Sequence, residues 1–284
     1  SLEPRVALKW KPVNRYSFSV AYGLHSRREK LDYYFIEQDI DGKKTSNKYL
    51  DFSRAHHIGF SYDWNISSNL HLKIESYYQY LYDMPVEENS SFSLINHEDF
   101  YLNRILINKG AGKNYGIDIT LEQYMTNGVY YMLTGSVFKS KYKGGDNIWR
   151  NTRMDRGFLL NALAGKEWMV GKRKQNMFTV NARLFFHGGD RYTPIDEDKT
   201  NEEHDIILNE SNAFSKKFSP ILNGDISVNY RINKQKLSHE FSLKMLNVGI
   251  RTGMHFYEYN EKTNKIKKEN STGIIPNLSY KLYF

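Results

Sequence analysis

An all-β architecture, an antiparallel transmembrane β-barrel segment of about 11 long strands, is what three features of the sequence predict. Apolar and polar residues alternate with a period of two over stretches longer than the strands of an ordinary sandwich. Tight turns and long polar loops take turns as connections along the whole chain. The chain also closes on an amphipathic strand whose last residue is the aromatic Phe284.

Composition agrees with strands that have two unlike faces. Forty per cent of the 284 residues are hydrophobic and 15% aromatic, yet mean hydropathy is −0.66, so apolar residues must be interleaved with polar ones. No stretch approaches the roughly 18 consecutive apolar residues of a spanning helix. Spanning strands are exempt from that test, because they alternate lipid-facing with lumen-facing side chains. The absence of cysteine rules out a disulfide framework and thiolate chemistry. The 40 Lys and Arg are scattered among 32 acidic residues, with no basic stripe or recognition helix, so the net charge of +8 does not point to nucleic acid.

The first strand, 3–10, sets Val6, Leu8 and Trp10 against Arg5, Ala7 and Lys9, and Lys11 to Asn14 form a turn. In 15–25, Tyr16, Phe18, Val20, Tyr22 and Leu24 share a face; 26–53 reads as a long exposed loop. Strand 54–64 puts His56, Ile58, Phe60, Tyr62 and Trp64 opposite His57, Gly59, Ser61 and Asp63. Asn65 to Asn69 turn the chain into 70–82, where Leu70, Leu72, Ile74, Tyr78, Tyr80 and Tyr82 oppose His71, Lys73, Glu75 and Gln79. After a loop over 83–112, Tyr115, Ile117, Ile119 and Leu121 alternate with Gly116, Asp118, Thr120 and Glu122. Asn127-Gly128 supplies the positive φ of a tight hairpin, leading into 129–141.

Strand 157–169 is the least regular, because Leu159, Leu160, Ala162, Leu163 and Ala164 blur its faces. Gly171 to Gln175 turn into 176–187, and an acidic, polar loop covers 188–218. The next strand is the cleanest: Leu222, Gly224, Ile226, Val228 and Tyr230 against Asn223, Asp225, Ser227, Asn229 and Arg231. Strands 237–247 and 274–284 complete the set.

Every short turn thus falls at one end of the strands and every long loop at the other. A soluble sandwich or barrel has no reason for this asymmetry and fills its interior with apolar side chains, whereas outer-membrane barrels have short periplasmic turns, long extracellular loops and a polar lumen. Single-chain bacterial barrels have even strand numbers with both termini periplasmic. Eleven strands are therefore expected to be the C-terminal half of a barrel of about 22, the count of plugged outer-membrane transporters. The chain opens Ser1-Leu2-Glu3-Pro4 with no initiator Met or signal peptide, which an exported barrel is synthesised with, so a mature or truncated sequence is expected.

The terminal Leu278, Tyr280, Leu282 and Phe284, alternating with Asn277, Ser279, Lys281 and Tyr283, resemble the signature by which outer-membrane barrels are recognised for assembly. Other landmarks are Leu2-Glu3-Pro4-Arg5, the hairpin Asn114-Tyr115-Gly116-Ile117-Asp118 through Asn127-Gly128-Val129-Tyr130-Tyr131, Ser140-Lys141-Tyr142, Asn161 to Glu167 and His187 to Asp196. Together they resemble the C-terminal barrel region of TonB-dependent outer-membrane receptors of the Bacteroidota type, over essentially the whole chain. The resemblance implies a bacterial outer-membrane receptor that takes up a scarce metal chelate, oligosaccharide or peptide, with no catalytic activity. It also implies partners: a plug in the lumen, the periplasmic TonB system acting through that plug, and outer-membrane lipid and lipopolysaccharide. Residues 1–284 then form a single barrel segment lacking the plug and the N-terminal strands. A passive porin or adhesin is the alternative.

No residue is singled out as catalytic, cofactor-binding or metal-binding, and the ligand-binding residues are left open. His56 and His57 point to opposite faces of a strand and cannot chelate one ion. Gly188-Gly189-Asp190-Arg191 lacks the helix of a phosphate loop and reads as a strand-to-loop transition, where glycine permits unusual φ and close packing. Glu75, Asp118, Glu122, Asp225 and Glu240 belong on the lumen face with Lys73, Arg183, Arg231 and Lys244, as a hydrogen-bonded lining. Tyr77, Tyr78, Tyr80 and Tyr82 at one end, and Trp10 and Trp64 at the other, are the expected aromatic girdles. Lys262, Lys265, Lys267 and Lys268 are loop lysines with two readings, contact with lipopolysaccharide phosphates or ordinary solvated loop charge.

Overall fold

The computed structural model describes residues 2–40, 42–97, 101–203, 205–248, 254–260, 265–271 and 273–284. Eleven long strands form one antiparallel meander, each hydrogen-bonded to its neighbours in sequence. They are β1 (Arg5–Val13), β2 (Tyr16–Arg27), β3 (Ser53–Asn65), β4 (Leu70–Val86), β5 (Ile107–Thr126) and β6 (Val129–Lys143). The second half comprises β7 (Phe158–Val170), β8 (Asn176–His187), β9 (Ile221–Asn233), β10 (Ser238–Leu246) and β11 (Ile275–Tyr283). A short strand, Trp149–Asn151, extends the sheet beside the upper end of β6. Among the described residues β1 and β11 are the sheet's two edges.

The register keeps the predicted faces together across the wall. Tyr22 stands opposite Ile58, Ile58 opposite Tyr78, and Tyr78 opposite Tyr115. A one-residue slip at any pair would turn a whole apolar set into the lumen. The outward face is apolar and open: Val137 is 68% exposed, Ile117 52% and Leu133 45%, as expected of side chains whose neighbour is hydrocarbon. In β7 the blurred pattern resolves, with Leu160 exposed on the outside and Leu163 paired with the inward Arg183.

Turns gather at one end. Asn127 (φ 52°) and Gly128 (φ 74°) make the mirror-image turn that matches the strand twist. The first turn lies at Asn14 and Arg15 rather than over Lys11 to Asn14, because Trp10 and Val13 stay paired to Phe18 and Tyr16 around an irregularity in the register.

At the other end the strands run on past the expected limits. β4 continues to Val86 and β5 begins at Ile107, so both ends of the expected loop over 83–112 are strand. The ladder there shifts register between Leu81 and Met84 and again between Met84 and Val86. The loops carry structure of their own. The stretch 26–53 holds a helical turn, Leu31–Tyr34, and a hairpin of Glu37–Ile40 with Lys43–Ser46. It is not uniformly exposed, since Tyr33 and Asn47 are buried. The 188–218 loop contains Arg191–Tyr192 paired with Lys216–Lys217 and a helix at Glu197–Glu203. Between β10 and β11, Met254–Asn260 pairs with Lys265–Ser271.

Among the described residues, the buried apolar side chains Tyr33, Met84, Val86, Leu106, Ala111, Tyr142 and Ala213 all lie in or beside these long loops. The wall itself has no dry core. Among the described residues, conventional packing sits at the loop end.

Candidate functional site

Inward residues of adjacent strands hydrogen-bond sideways. Asn114 donates to Gln79 Oε1 (3.1 Å), Ser140 Oγ donates to Asn114 Oδ1 (2.6 Å), and Thr152 Oγ1 donates to Ser140 Oγ (2.8 Å). This chain of bonds crosses three strands and the loop beside them. Further round, Tyr130 bonds Asn181 Oδ1, and Asn181 Nδ2 donates to Ser227 Oγ (3.1 Å).

The expected lumen charges join the same lining. Lys73 meets Glu75 at 2.8 Å, and Glu75 stands opposite Asp118 in register. Arg183 reaches Asn161 Oδ1 at 3.1 Å and Asp225 at 3.9 Å. Glu240 lies between Arg231 and Lys281, each 3.9 Å away. Glu122 stands opposite His71 and Met132, and Lys244 opposite Ser227 and Asn277. These carboxylates are spread along the wall rather than gathered at one point. The arrangement presents a wetted surface to whatever fills the lumen.

A trough of about 730 Å³ lies on this face, lined in part by Arg5, His25, His57, Glu75, Tyr77 and Asp118. Tyr77 therefore belongs to the lumen and not to the girdle, since it has the opposite parity to Tyr78. His57 sits near His25 in the trough, ring centroids 6.3 Å apart. His56 faces out, stacked on Tyr22 and Tyr82 and hydrogen-bonded to the Tyr22 hydroxyl (2.9 Å). The two histidines diverge as strand geometry requires, and the described residues contain no cluster of three metal-ligating side chains. At the turn end, Trp10 stacks on Phe18 (5.7 Å) and Phe18 on Tyr62 (5.1 Å), forming one girdle.

The loop end is fastened into a rim. Asn47 donates to the Arg104 carbonyl (2.9 Å) and accepts from the Leu106 amide (2.7 Å), tying 28–52 to 87–106. Ser91 bonds Glu210, and Arg104 pairs with Glu87. Asp155 is fully buried; it accepts from the Ser140 amide (3.1 Å) and from Arg191 Nε (2.9 Å). Arg156 pairs with Asp190, its Nη2 3.3 Å from Oδ2.

Gly188 and Gly189 serve this junction by close approach: an added Cβ would lie 2.0 Å from the Arg156 carbonyl oxygen and 2.2 Å from that of Phe218. Neither has a positive φ, so packing and not backbone strain requires glycine there. Burial pulls the Lys217 ammonium below the usual lysine range; Arg191 adds repulsion and Asp155 opposes the shift. Burial raises the Asp146 carboxyl, but the hydrogen bonds from Arg150 and backbone amides, together with the Arg150 charge, outweigh this and hold it below the usual carboxylate range.

Asn47 and Asp155 did not emerge from the sequence pattern, because loop residues carry no periodicity, and Arg191 was read there only as part of a strand-to-loop transition. The glycine pairs 144–145 and 188–189 were the available signal of close approach. Of the expected loop lysines, Lys262 lies outside the described residues, and Lys265, Lys267 and Lys268 fall on the outer hairpin's second strand.

A scan against protein-family models and a search of curated proteins find no match. Solved structures do match, over nearly the whole chain. The FrpB iron transporter of Neisseria meningitidis (F3-3 variant) is 14% identical with a TM-score of 0.63, covering 100% of this chain and 39% of that one. BauA, the ferric preacinetobactin receptor of Acinetobacter baumannii, is 12% identical at 0.61, covering 99% and 36%. The outer membrane transporter YddB of Escherichia coli is 11% identical at 0.58, covering 98% and 40%.

The structural neighbours are TonB-dependent outer-membrane receptors and transporters, and the fold of this chain is that of their barrels. The chain spans only 36–40% of the length of these three structures.

Proposed function

We propose that the chain is the C-terminal barrel part of a TonB-dependent receptor in a bacterial outer membrane, importing a scarce nutrient. One observation carries this reading: receptor barrels share over 98–100% of the chain its architecture, a polar, laterally hydrogen-bonded wall with four long loops fastened together at one rim. A plug filling the lumen, further strands completing the barrel and a TonB system supplying energy belong to the same proposal, as does a Bacteroidota-type origin. The two free edges support it, because unpaired strand edges in hydrocarbon cost several kcal/mol per unsatisfied group.

Among metal chelates, oligosaccharides and peptides, ferric chelates are the first class to test, since FrpB and BauA are by name an iron transporter and a ferric preacinetobactin receptor. Transport is the role proposed, supported by structural neighbours that are by name transporters and receptors.

The test is uptake of radiolabelled ferric chelates, oligosaccharides and peptides by the source bacterium, with and without the gene and a protonophore. Uptake lost both on deletion and on collapse of the proton-motive force is expected. Gene-dependent flux insensitive to the protonophore would replace this reading by the passive porin.

A further inference from the structure

The outward face just above the apolar band carries four lysines on two adjacent strands. Lys139 stands opposite Tyr115, Lys113 opposite Lys141, and Lys143 opposite Ala111. These positions share the parity of the exposed Tyr115, Ile117, Leu133 and Val137, so all four side chains lie on the outside of the wall.

Direct cross-strand neighbours have Cβ atoms only about 5 Å apart, and like charges there repel. The sequence nevertheless sets Lys113 against Lys141 and places three lysines at alternate positions, roughly 7 Å apart along β6. Neighbouring carboxylates are already engaged: Asp146 by Arg150 (2.6 Å), Glu88 by Lys109 (3.2 Å) and Asp155 by Arg191 (2.9 Å). Lys139 lies 3.7 Å from that shared Asp155. Among the described residues, Lys113 has the Trp149 ring beneath its ammonium, at 4.4 Å, and no carboxylate partner. Lys141 and Lys143 have no carboxylate partner among the described residues.

The height of this cluster identifies its neighbour. From Val129, just above the Asn127-Gly128 turn, to Val137 the outward residues of β6 carry no charge. At about 3.4 Å per residue and a tilt near 40°, that run rises roughly 21 Å along the membrane normal, close to the full apolar band of about 25 Å. Lys139 then lies at the edge of the hydrocarbon, and Lys113, Lys141 and Lys143 stand at headgroup height. Tyr80, Tyr115 and Trp149 flank them, as aromatic residues do at an interface.

We infer that Lys113, Lys141 and Lys143, with Lys139 at their base, form a binding site for the phosphates of an outer-leaflet diphosphorylated glycolipid, the lipid A part of lipopolysaccharide. The site lies on strands beside β4, not on the loop that carries Lys262 to Lys268. Its partner is chosen by charge complementarity: Lys113, Lys141 and Lys143, at headgroup height and with no carboxylate partner among the described residues, fit a lipid bearing two phosphates. The inference rests on the outer-membrane placement proposed above.

The test uses the full receptor extracted from the outer membrane, with native mass spectrometry measuring retention of added diphosphoryl or dephosphorylated lipid A. The wild type is expected to retain the diphosphoryl form selectively. The triple variant Lys113→Gln/Lys141→Gln/Lys143→Gln is expected to lose about a hundredfold in affinity, on the scale of one factor of several per lysine at an anionic surface. The triple lysine-to-arginine variant should keep binding, and Lys43→Gln/Lys44→Gln, on an exposed loop hairpin, should leave it unchanged. Equal retention of the dephosphorylated glycolipid, displacement by equimolar inorganic phosphate, or equal losses in the triple and hairpin variants would overturn the site. Wild-type lipid selectivity decides even if the triple variant does not fold. Failure of the wild type itself to show a heat-modifiable, membrane-extracted band would count against the outer-membrane placement instead.

Discussion

Replacing Asp155 by alanine will loosen the rim without unfolding the wall. The carboxylate is fully buried and has three calls on it: the Ser140 amide at 3.1 Å, Arg191 Nε at 2.9 Å and Lys139 at 3.7 Å. Its removal strands a guanidinium whose side chain is only 14% exposed. Breaking one side of a buried ion pair costs about 3–5 kcal/mol. The low end applies, because Lys139 is half exposed and water can reach the site once the carboxylate is gone. About 3 kcal/mol corresponds to a roughly 150-fold rise in local opening. The assay is amide hydrogen exchange on the purified full receptor, read at 152–156 and 188–192, with β3 and β9 as internal references. Asp155→Asn, which keeps an oxygen for the Ser140 amide, should lose less. Unchanged protection at both loop segments, or a loss spread evenly over the strands, would refute the idea that this residue holds the two loops together.

Three further predictions concern other levels of the structure. Gly145→Ala would push a Cβ to within 1.9 Å of the Glu87 carbonyl oxygen; overpacking of this kind costs roughly 1–3 kcal/mol, and faster exchange at 87–90 is the expected readout. The Asp146–Arg150 clamp, whose carboxyl is held below the ordinary aspartate value of 3.8, contributes in full above that value and is lost as pH falls through the lower native one. Nicking of 144–157 by pepsin should therefore rise only in that acid window, and Asp146→Asn should abolish the pH dependence while raising basal nicking. Leu133→Lys, in the middle of the lipid-facing band, should cost about 2–4 kcal/mol in urea unfolding from lipid vesicles. Thr134→Lys, on the lumen face, should cost far less; equal costs would contradict the assigned faces.

The strands were legible, all but β7 with its blurred faces, because their two faces differ in polarity, as in 222–231 where every outward residue but Gly224 is apolar and every inward one polar. The extension of β4 and β5 was not. Asp83, with a φ of 54°, and two register shifts break the period of two there. Opposite them, Gly110-Ala111-Gly112 carries too little side chain to show alternation. Gly110 is small for a reason invisible in one dimension: a Cβ would sit 2.7 Å from the Met84 carbonyl oxygen and 2.4 Å from Val86 Cγ1. The rim escaped for a related cause, since Asn47 and Asp155 act through contacts between loops far apart in sequence. Exterior charge was read from loop composition, whereas the lysines at headgroup height ride on β5 and β6, where parity and strand length together place them.

The most direct test of the central claim, that this chain is the C-terminal barrel part of a longer receptor, is the intact mass of the native polypeptide extracted from the outer membrane. A mass far above 33.5 kDa, with a plug and further strands preceding Ser1, is the predicted result. A native polypeptide of 33.5 kDa would contradict it, and would require the free edges of β1 and β11 to be closed by a second copy of this chain.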